Sequence, residues 1–474
     1  MFKKVWLTSV AAGSIIAATS AAQAGGFALR EQSAAGQGLS FAGAAAGGAG
    51  LGSMFWNPAT MTNHQGIQTS IGLTALIPYT SLTNVSGTSA GYSNYAGKST
   101  SGDLALDAIL PNAYLSWQLN QNIWLGLSVN APYGLATKPD NSYVGRTYGS
   151  TSAAKSKEVT ASVAYKFNDM ISVAAGLRYL DLKARYTTAA PKSVNPQDWP
   201  VLGLDGDGAA LGYTLGLTFK PMDGTEIGLG YRSQVKPTLK GDFFGGAAAA
   251  SPLTFGNNST LAAYALNNPI QVSVPLPQMI TLGLKQKVSQ DLTLLAGFEW
   301  TQWSVLKSPA ITYRNSGAFP GTLIAWSPGS AHLATPVLPF EYKDGWYASL
   351  GGEYKWDSKL TLRTGLAFES TPVKDEGRST RLPDNDRIWT SIGAGYKFSE
   401  QLSLDVGYTH IFPKSTKVSI LDASNPNYKA SYAAAQIDKL NVDVKAHVDI
   451  VSVNLTYRFD TPTPQSNLPG KVTK

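Results

Sequence analysis

The sequence predicts an all-β protein, a 14-stranded antiparallel transmembrane β-barrel whose lumen is plugged by the chain's own N-terminal segment. Three observations carry that prediction. Segments of about ten residues alternate apolar with small or polar side chains along most of the 474 residues. Short polar breaks and long connections alternate strictly between those segments. Ahead of the first of them, "GLSFAGAAAGGAGLGSMFWNPATMT" (38–62) has no charged residue, being too long for a loop and too weakly apolar for a membrane helix.

The chain opens with Lys3 and Lys4, an apolar run from Val5 to Ala18, and Ala22-Gln23-Ala24 before Gly25. This three-part layout predicts a secretory signal peptide over 1–24 and a mature chain starting at Gly25. With no cysteine, an exported chain must take its stability from burial and hydrogen bonding. No later run of 18 apolar residues occurs, which excludes a multi-helix inner-membrane protein. The pI of 9.1 comes from Lys and Arg scattered singly, so no nucleic-acid partner is expected.

From Gly66 the dominant period is two. In "ALGYTLGLTFK", Leu211, Tyr213, Leu215, Leu217 and Phe219 share one face and Gly212, Thr214, Gly216, Thr218 and Lys220 the other. Fourteen such segments centre near residues 72, 115, 126, 162, 177, 215, 231, 282, 296, 350, 364, 392, 406 and 453. Tight turns fall at 119–122, 167–170, 221–225, 289–291, 356–359 and 398–401, and longer links join the other strand ends. Tight turns on one side and long loops on the other mark a barrel of the Gram-negative outer membrane, bathed by its lipids and lipopolysaccharide and expected to be monomeric. The barrel is assigned to 66–459, ending at the outward aromatic Phe459, with a polar tail over 460–474.

About fourteen strands leave a hole that inward side chains cannot close. Residues 25–65 precede the first strand, and their small side chains let several turns of backbone pack inside a tube. Phe27, Leu29, Phe41, Met54, Phe55 and Trp56 supply anchors that a flexible linker does not need. The segment is therefore assigned as the plug.

The stretch "GGFALREQSAAGQGLSFAGAAAGGAGLGSMFWNPATMT" resembles the N-terminal hatch of the FadL family of outer-membrane channels for hydrophobic compounds, including its Asn57-Pro58-Ala59 motif. The similarity continues through "PYGLAT", "VPLPQMITLGLK", "EWTQWSVL" and "RLPDNDRIWTSIGAGYKF", covering essentially the whole mature chain in order. It implies a passive channel with no cofactor, carrying hydrophobic small molecules, long-chain fatty acids first. Monoaromatic or other hydrocarbons are the alternative within the family, and a general aqueous porin is a further one outside it.

No chemistry competes with that reading. His64, His332, His410 and His447 have no metal spacing, and neither a catalytic residue nor a metal site is assigned. "DGDG" at 205–208 and "PDND" at 383–386 read as turns. Phe243, Phe244 and Phe255, in a long apolar connection, are candidates for a ligand-capturing groove at the surface.

Pro132 interrupts the third strand and Gly134 follows it, which marks a bend or an end, since proline cannot donate to a ladder. The resemblance places there a kink that opens the wall sideways, at Gly134–Ala136. A fatty-acid carboxylate buried in an apolar lumen needs a cation. The basic positions that the resemblance implies fall on small or apolar residues near Ala190 and Leu338. Arg185 and Lys343 are the nearest substitutes, with Arg178 and Arg232 facing the lumen by parity.

Overall fold

The computed structural model describes residues 25–89, 100–189, 201–245, 254–255, 259–260, 268–307, 309, 311–313, 340–420 and 437–459. The expected secretory segment and the polar tail lie outside them. Fourteen strands build the wall: β1 (Ile67–Ser89), β2 (Ala108–Gln118), β3 (Ile123–Asn130), β4 (Thr151–Lys166), β5 (Ile171–Ala189), β6 (Val201–Met222), β7 (Thr225–Arg232), β8 (Met279–Lys287), β9 (Leu292–Thr301), β10 (Gly345–Lys355), β11 (Leu360–Glu369), β12 (Arg387–Lys397), β13 (Leu402–Pro413) and β14 (Ile437–Arg458). Each pairs antiparallel with the next. β14 closes on β1 from Gln68↔Arg458 outward. Each of the fourteen expected centres falls inside one of these strands. Closure pairs the backbone groups of what would otherwise be two sheet edges, as a bilayer requires.

The alternation has the polarity of a membrane barrel. In β2, Ile109, Leu115 and Trp117 are exposed, while Tyr114 and Ser116 are buried. Leu211, Tyr213, Leu215 and Leu217 of β6 likewise point outward and Thr214 and Thr218 inward. The outward residues meet lipid; a charge there costs about 2–4 kcal/mol at the midplane, so the band stays apolar. β1, β6 and β14, of 23, 22 and 22 residues, exceed the roughly ten needed to cross, and their outer halves rise beyond the bilayer.

The six tight turns lie between the expected strands. Asn120, Asn168, Ser289, Asp357 and Ser399 each accept two backbone N–H bonds across their own turn. Gly224, with φ of 84°, makes the sixth. Beside these turns stand aromatic pairs two residues apart, among them Tyr165–Phe167, Tyr396–Phe398 and Tyr457–Phe459, an interfacial girdle. One expected turn is corrected. Residues 205–208 run inside β6, and Gly208 lies where the neighbouring strand Thr238–Gly245 comes too close for a Cβ, while a Cβ on Gly206 would be a tight 3.1 Å from the Lys240 carbonyl. Residues 383–386 do lie in a connection, ahead of β12.

Residues 25–65 occupy the lumen as short helical pieces of about one or two turns: Ala34–Gln37, Ala44–Ala46, Gly50–Phe55 and Pro58–Asn63. Gly43 and Gly47 take left-handed φ of 65° and 84°, which breaks any longer helix and folds the segment back on itself. Leu39, Ala45, Ala59 and Met61 have no exposed surface. At the inner end the plug is tied to the wall by Trp124 Nε1, which donates to the His64 carbonyl at 2.8 Å. At the outer end the Gly26 N–H donates to Asp384 Oδ2 at 3.1 Å.

Candidate functional site

Asn57, Pro58 and Ala59 fasten the plug to β6. The Asn57 side-chain N–H groups donate to the Ala45 carbonyl at 2.7 Å and the Leu217 carbonyl at 2.9 Å. Its Oδ1 accepts from the Ala59 N–H at 3.0 Å, capping the turn that Pro58 starts. All three residues are buried, so each of these polar groups depends on its partner.

The third strand breaks where proline predicts. β3 pairs with β2 as far as Ala113↔Val129, and contact resumes only at the bridge Ala105↔Thr137. Between them, residues 108–112 of β2 pair with β1 alone. On the other flank β3 ends at Asn130↔Glu158 and the short strand Gly134–Thr137 begins at Gly134↔Lys155. Four steps (130 to 134) therefore oppose three (158 to 155), a bulge of one residue at 131–133. Pro132, Gly134 and Ala136 are buried around it.

The start of the plug fills this break. Leu29 N–H donates to the Pro132 carbonyl at 2.8 Å, Gly134 N–H to the Phe27 carbonyl at 2.9 Å, and Ala28 bridges to Tyr133. The Phe27 ring packs on Trp303 with centroids 4.9 Å apart and on Tyr133 at 5.9 Å.

Phe27 also walls a cavity of about 50 Å³ in the outer half of the barrel. Its other walls are almost wholly carbon: Leu182, Ala184, Tyr186, Leu239, Ile270, Val272, Ile311 and Phe340 among them. A site for a drug-sized molecule takes roughly 300–1,000 Å³, so an occupant must displace something. The strands are fixed by their ladders. Phe27 sits on a segment held by far fewer bonds.

Two ion clusters lie inside the outer barrel. In the first, Arg178 bonds Glu158 at 2.7 Å and the Ser233 carbonyl at 3.0 Å; Arg232 also grips Glu158, donates to the Phe55 carbonyl at 2.8 Å and covers the Phe55 ring. In the second, Arg30 pairs with Glu299 at 2.9 Å and Glu369 at 3.4 Å over the face of Tyr347. Arg387 joins Asp384 and lies 3.6 Å from Glu369, and Trp389 Nε1 donates to Glu369 at 3.0 Å. Glu31 is 2% exposed with one carboxylate oxygen unbonded. Burial, reinforced by the Glu369 charge, pushes its carboxyl up to about 7.

The two outer headgroup candidates stand elsewhere. Arg185 shares the outward face of Leu177 and Tyr179, paired with Asp205 at 3.2 Å and lying over the Phe244 ring at 4.5 Å. Its strand parity turns it away from the lumen. Lys343 is exposed in the connection before β10, where its N–H meets the Pro372 carbonyl. Arg178 and Arg232 do face the lumen. Phe244 is thus engaged on the outer wall; the backbones of Phe243 and Phe255 are strand-paired, and their side chains lie outside the described residues.

One set of residues escaped sequence reasoning: the inward glycines. A Cβ on Gly228 would overlap the Ala45 carbonyl, on Gly230 the Trp56 carbonyl, on Gly365 the Leu39 backbone, and on Gly407 it would stand 2.5 Å from the Ala34 carbonyl. The plug lies directly on strand backbone at these points. A glycine recurring in "GLGYR", "GLK", "TGLA", "GAGY" and "VGYT" was the available signal.

The model of the family described as outer membrane protein transport protein (OMPP1/FadL/TodX) matches residues 15–459. The long-chain fatty acid transport protein of Salmonella typhi is 26% identical over 436 residues, 88% of this chain and 94% of that protein. Outer membrane protein P1 of Haemophilus influenzae is 25% identical, over 95% of this chain and 99% of that one. Among solved structures, a Pseudomonas aeruginosa FadL homologue superposes with a TM-score of 0.75 at 21% identity, covering 92% of this chain and all of that one. The Ralstonia pickettii toluene transporter TbuX gives 0.61 at 16%, covering 91% and 99%. A closed barrel of fourteen strands with an apolar lipid face, matched to the family model over nearly its whole length, makes this chain a member of the OMPP1/FadL/TodX family of outer-membrane transport proteins.

Proposed function

We propose that the chain takes up long-chain fatty acids passively: capture at the apolar outer loops, binding in the cavity beneath them, displacement of the N-terminal segment, and lateral exit through the wall at the β3 break. The observation that carries this reading is the double role of Phe27. Its ring closes the cavity, and its carbonyl holds Gly134 at the break. A ligand large enough to fill the site moves the ring, and the same motion releases the wall. No nucleotide or covalent step is needed, because the free energy of apolar burial drives entry. Arg178 and Arg232 are the headgroup partners in this reading.

The nearly all-carbon cavity favours a second reading, uncharged hydrocarbons, in which no headgroup partner is required. Toluene and oleate binding to the purified barrel, compared by calorimetry, separates the two.

The gate itself is tested by a cross-link. Ala28 and Tyr133 face each other as a pair flanked by, not sharing, the two backbone bonds, a geometry with Cα atoms about 4.5 Å apart that admits a disulfide. The chain has no other cysteine to confuse the result. Oxidised Ala28→Cys/Tyr133→Cys protein should bind ligand at the surface yet fail to transport it until reduced. Equal transport in both states would remove the gate from the mechanism.

A further inference from the structure

The ion clusters do not balance. Five carboxylates, Glu31, Glu158, Glu299, Glu369 and Asp384, face four guanidiniums, Arg30, Arg178, Arg232 and Arg387. Together the two clusters lack one positive charge, and the second cluster by itself lacks two, with four carboxylates against two guanidiniums. Glu31, with one buried oxygen unpartnered and its carboxyl raised by burial, meets part of that deficit by holding a proton, which leaves Glu369 and Asp384 short of a cation.

The start of the expected mature chain lies in that cluster. Gly25 is buried, and a Cβ on it would stand 2.5 Å from Glu369 Oε1. The Gly25 nitrogen, bonded to the same Cα, is therefore within about 5 Å of that carboxylate. The next N–H, of Gly26, already donates to Asp384. Hydrolysis of the Ala24–Gly25 bond by a signal peptidase adds water across it, leaving a carboxylate on the leader and an amine on Gly25 that takes up a proton at neutral pH.

We propose that this α-ammonium supplies one of the positive charges that the second cluster lacks, held by Glu369 and Asp384, and that it pins the N-terminal segment across the break in β3. Leader removal then does more than release the chain. It creates the charge that closes the gate, and the position of cleavage becomes a functional parameter, because one extra residue displaces the ammonium from its carboxylates. The inference is independent of which ligand the channel carries.

The test uses the protein purified from outer membranes. N-terminal sequencing should show a start at Gly25. Acetylation by a water-soluble active ester at pH 7 should modify that amine at least about tenfold more slowly in the folded barrel than after boiling, since each unit of raised pKa removes tenfold of the reactive free amine. Burial alone also slows acetylation, so a double-mutant cycle decides. A Ser inserted between Ala24 and Gly25, and separately Glu369→Gln, should each raise leak conductance in planar bilayers. The combination should leak no more than the worse single variant, because both remove the same contact. Additive leaks, a different start, or equal acetylation before and after boiling would overturn the proposal. Asp384→Asn replaces Glu369→Gln if the latter fails to give a heat-modifiable barrel.

Discussion

The Phe27 carbonyl accepts the Gly134 N–H at 2.9 Å, so the first residues of the plug and the break in the wall are a single bonded unit. The Phe27 ring, 5% exposed between Tyr133 and Trp303, anchors that unit. Phe27→Ala removes a buried aromatic contact, a change of about 3–5 kcal/mol. Hydrogen exchange at Leu29 and Gly134 should then accelerate by roughly a hundredfold or more, read by mass spectrometry, while exchange in β10 to β13 stays put. Unchanged protection would show that the segment is held without its ring.

Asn57→Ala strips the Ala45 and Leu217 carbonyls of a buried donor and uncaps the turn at Pro58. Each orphaned group costs about 1–3 kcal/mol, and the loss falls on the plug rather than on the ladders. Unboiled protein should still migrate as a compact barrel on a detergent gel, while cellular fatty-acid uptake drops severalfold. Normal uptake by an Asn57→Ala/Pro58→Ala variant would confine the motif to folding.

Gly365→Val drives a side chain into the Leu39 backbone, and the plug must move away. Planar-bilayer conductance should rise from a sealed level to porin-like steps. Gly352→Val is the matched control, since a Cβ there meets nothing nearer than a Leu294 methyl at 4.0 Å. If both variants stay sealed, the seal does not depend on the plug lying against bare strand backbone.

Arg185 and Lys343 stand on the outside, and the Arg185–Asp205 pair is about half exposed, the kind of contact worth about 1 kcal/mol or less. Changing both to Met should alter binding of a fatty acid and of an uncharged hydrocarbon of equal length alike, by less than about twofold. A loss confined to the fatty acid would return the headgroup to the outer rim.

What the sequence determined by itself was whatever depends on local periodicity. Period-two alternation, tight turns built on Asn, Asp, Ser and Gly, and their strict spacing follow from bonds between near neighbours, so fourteen strands and their inward and outward faces were readable before any fold was known. Parity placed Arg178 and Arg232 in the lumen for the same reason, and Pro132 marked the break because a missing N–H is a local fact. The tertiary structure decided what parity cannot reach. Counted from Tyr179, Arg185 was already on the outward face, yet its nearness to the strand end obscured this. Glu158 as the shared partner of two arginines required β4, β5 and β7 to be brought together around a closed ring. The glycine row acquired its meaning only once the plug lay against it, since a missing Cβ has no consequence until another backbone occupies the space. The pairing of Phe27 with Gly134 joins residues more than a hundred positions apart, and only barrel closure around the N-terminal segment brings them within a hydrogen bond.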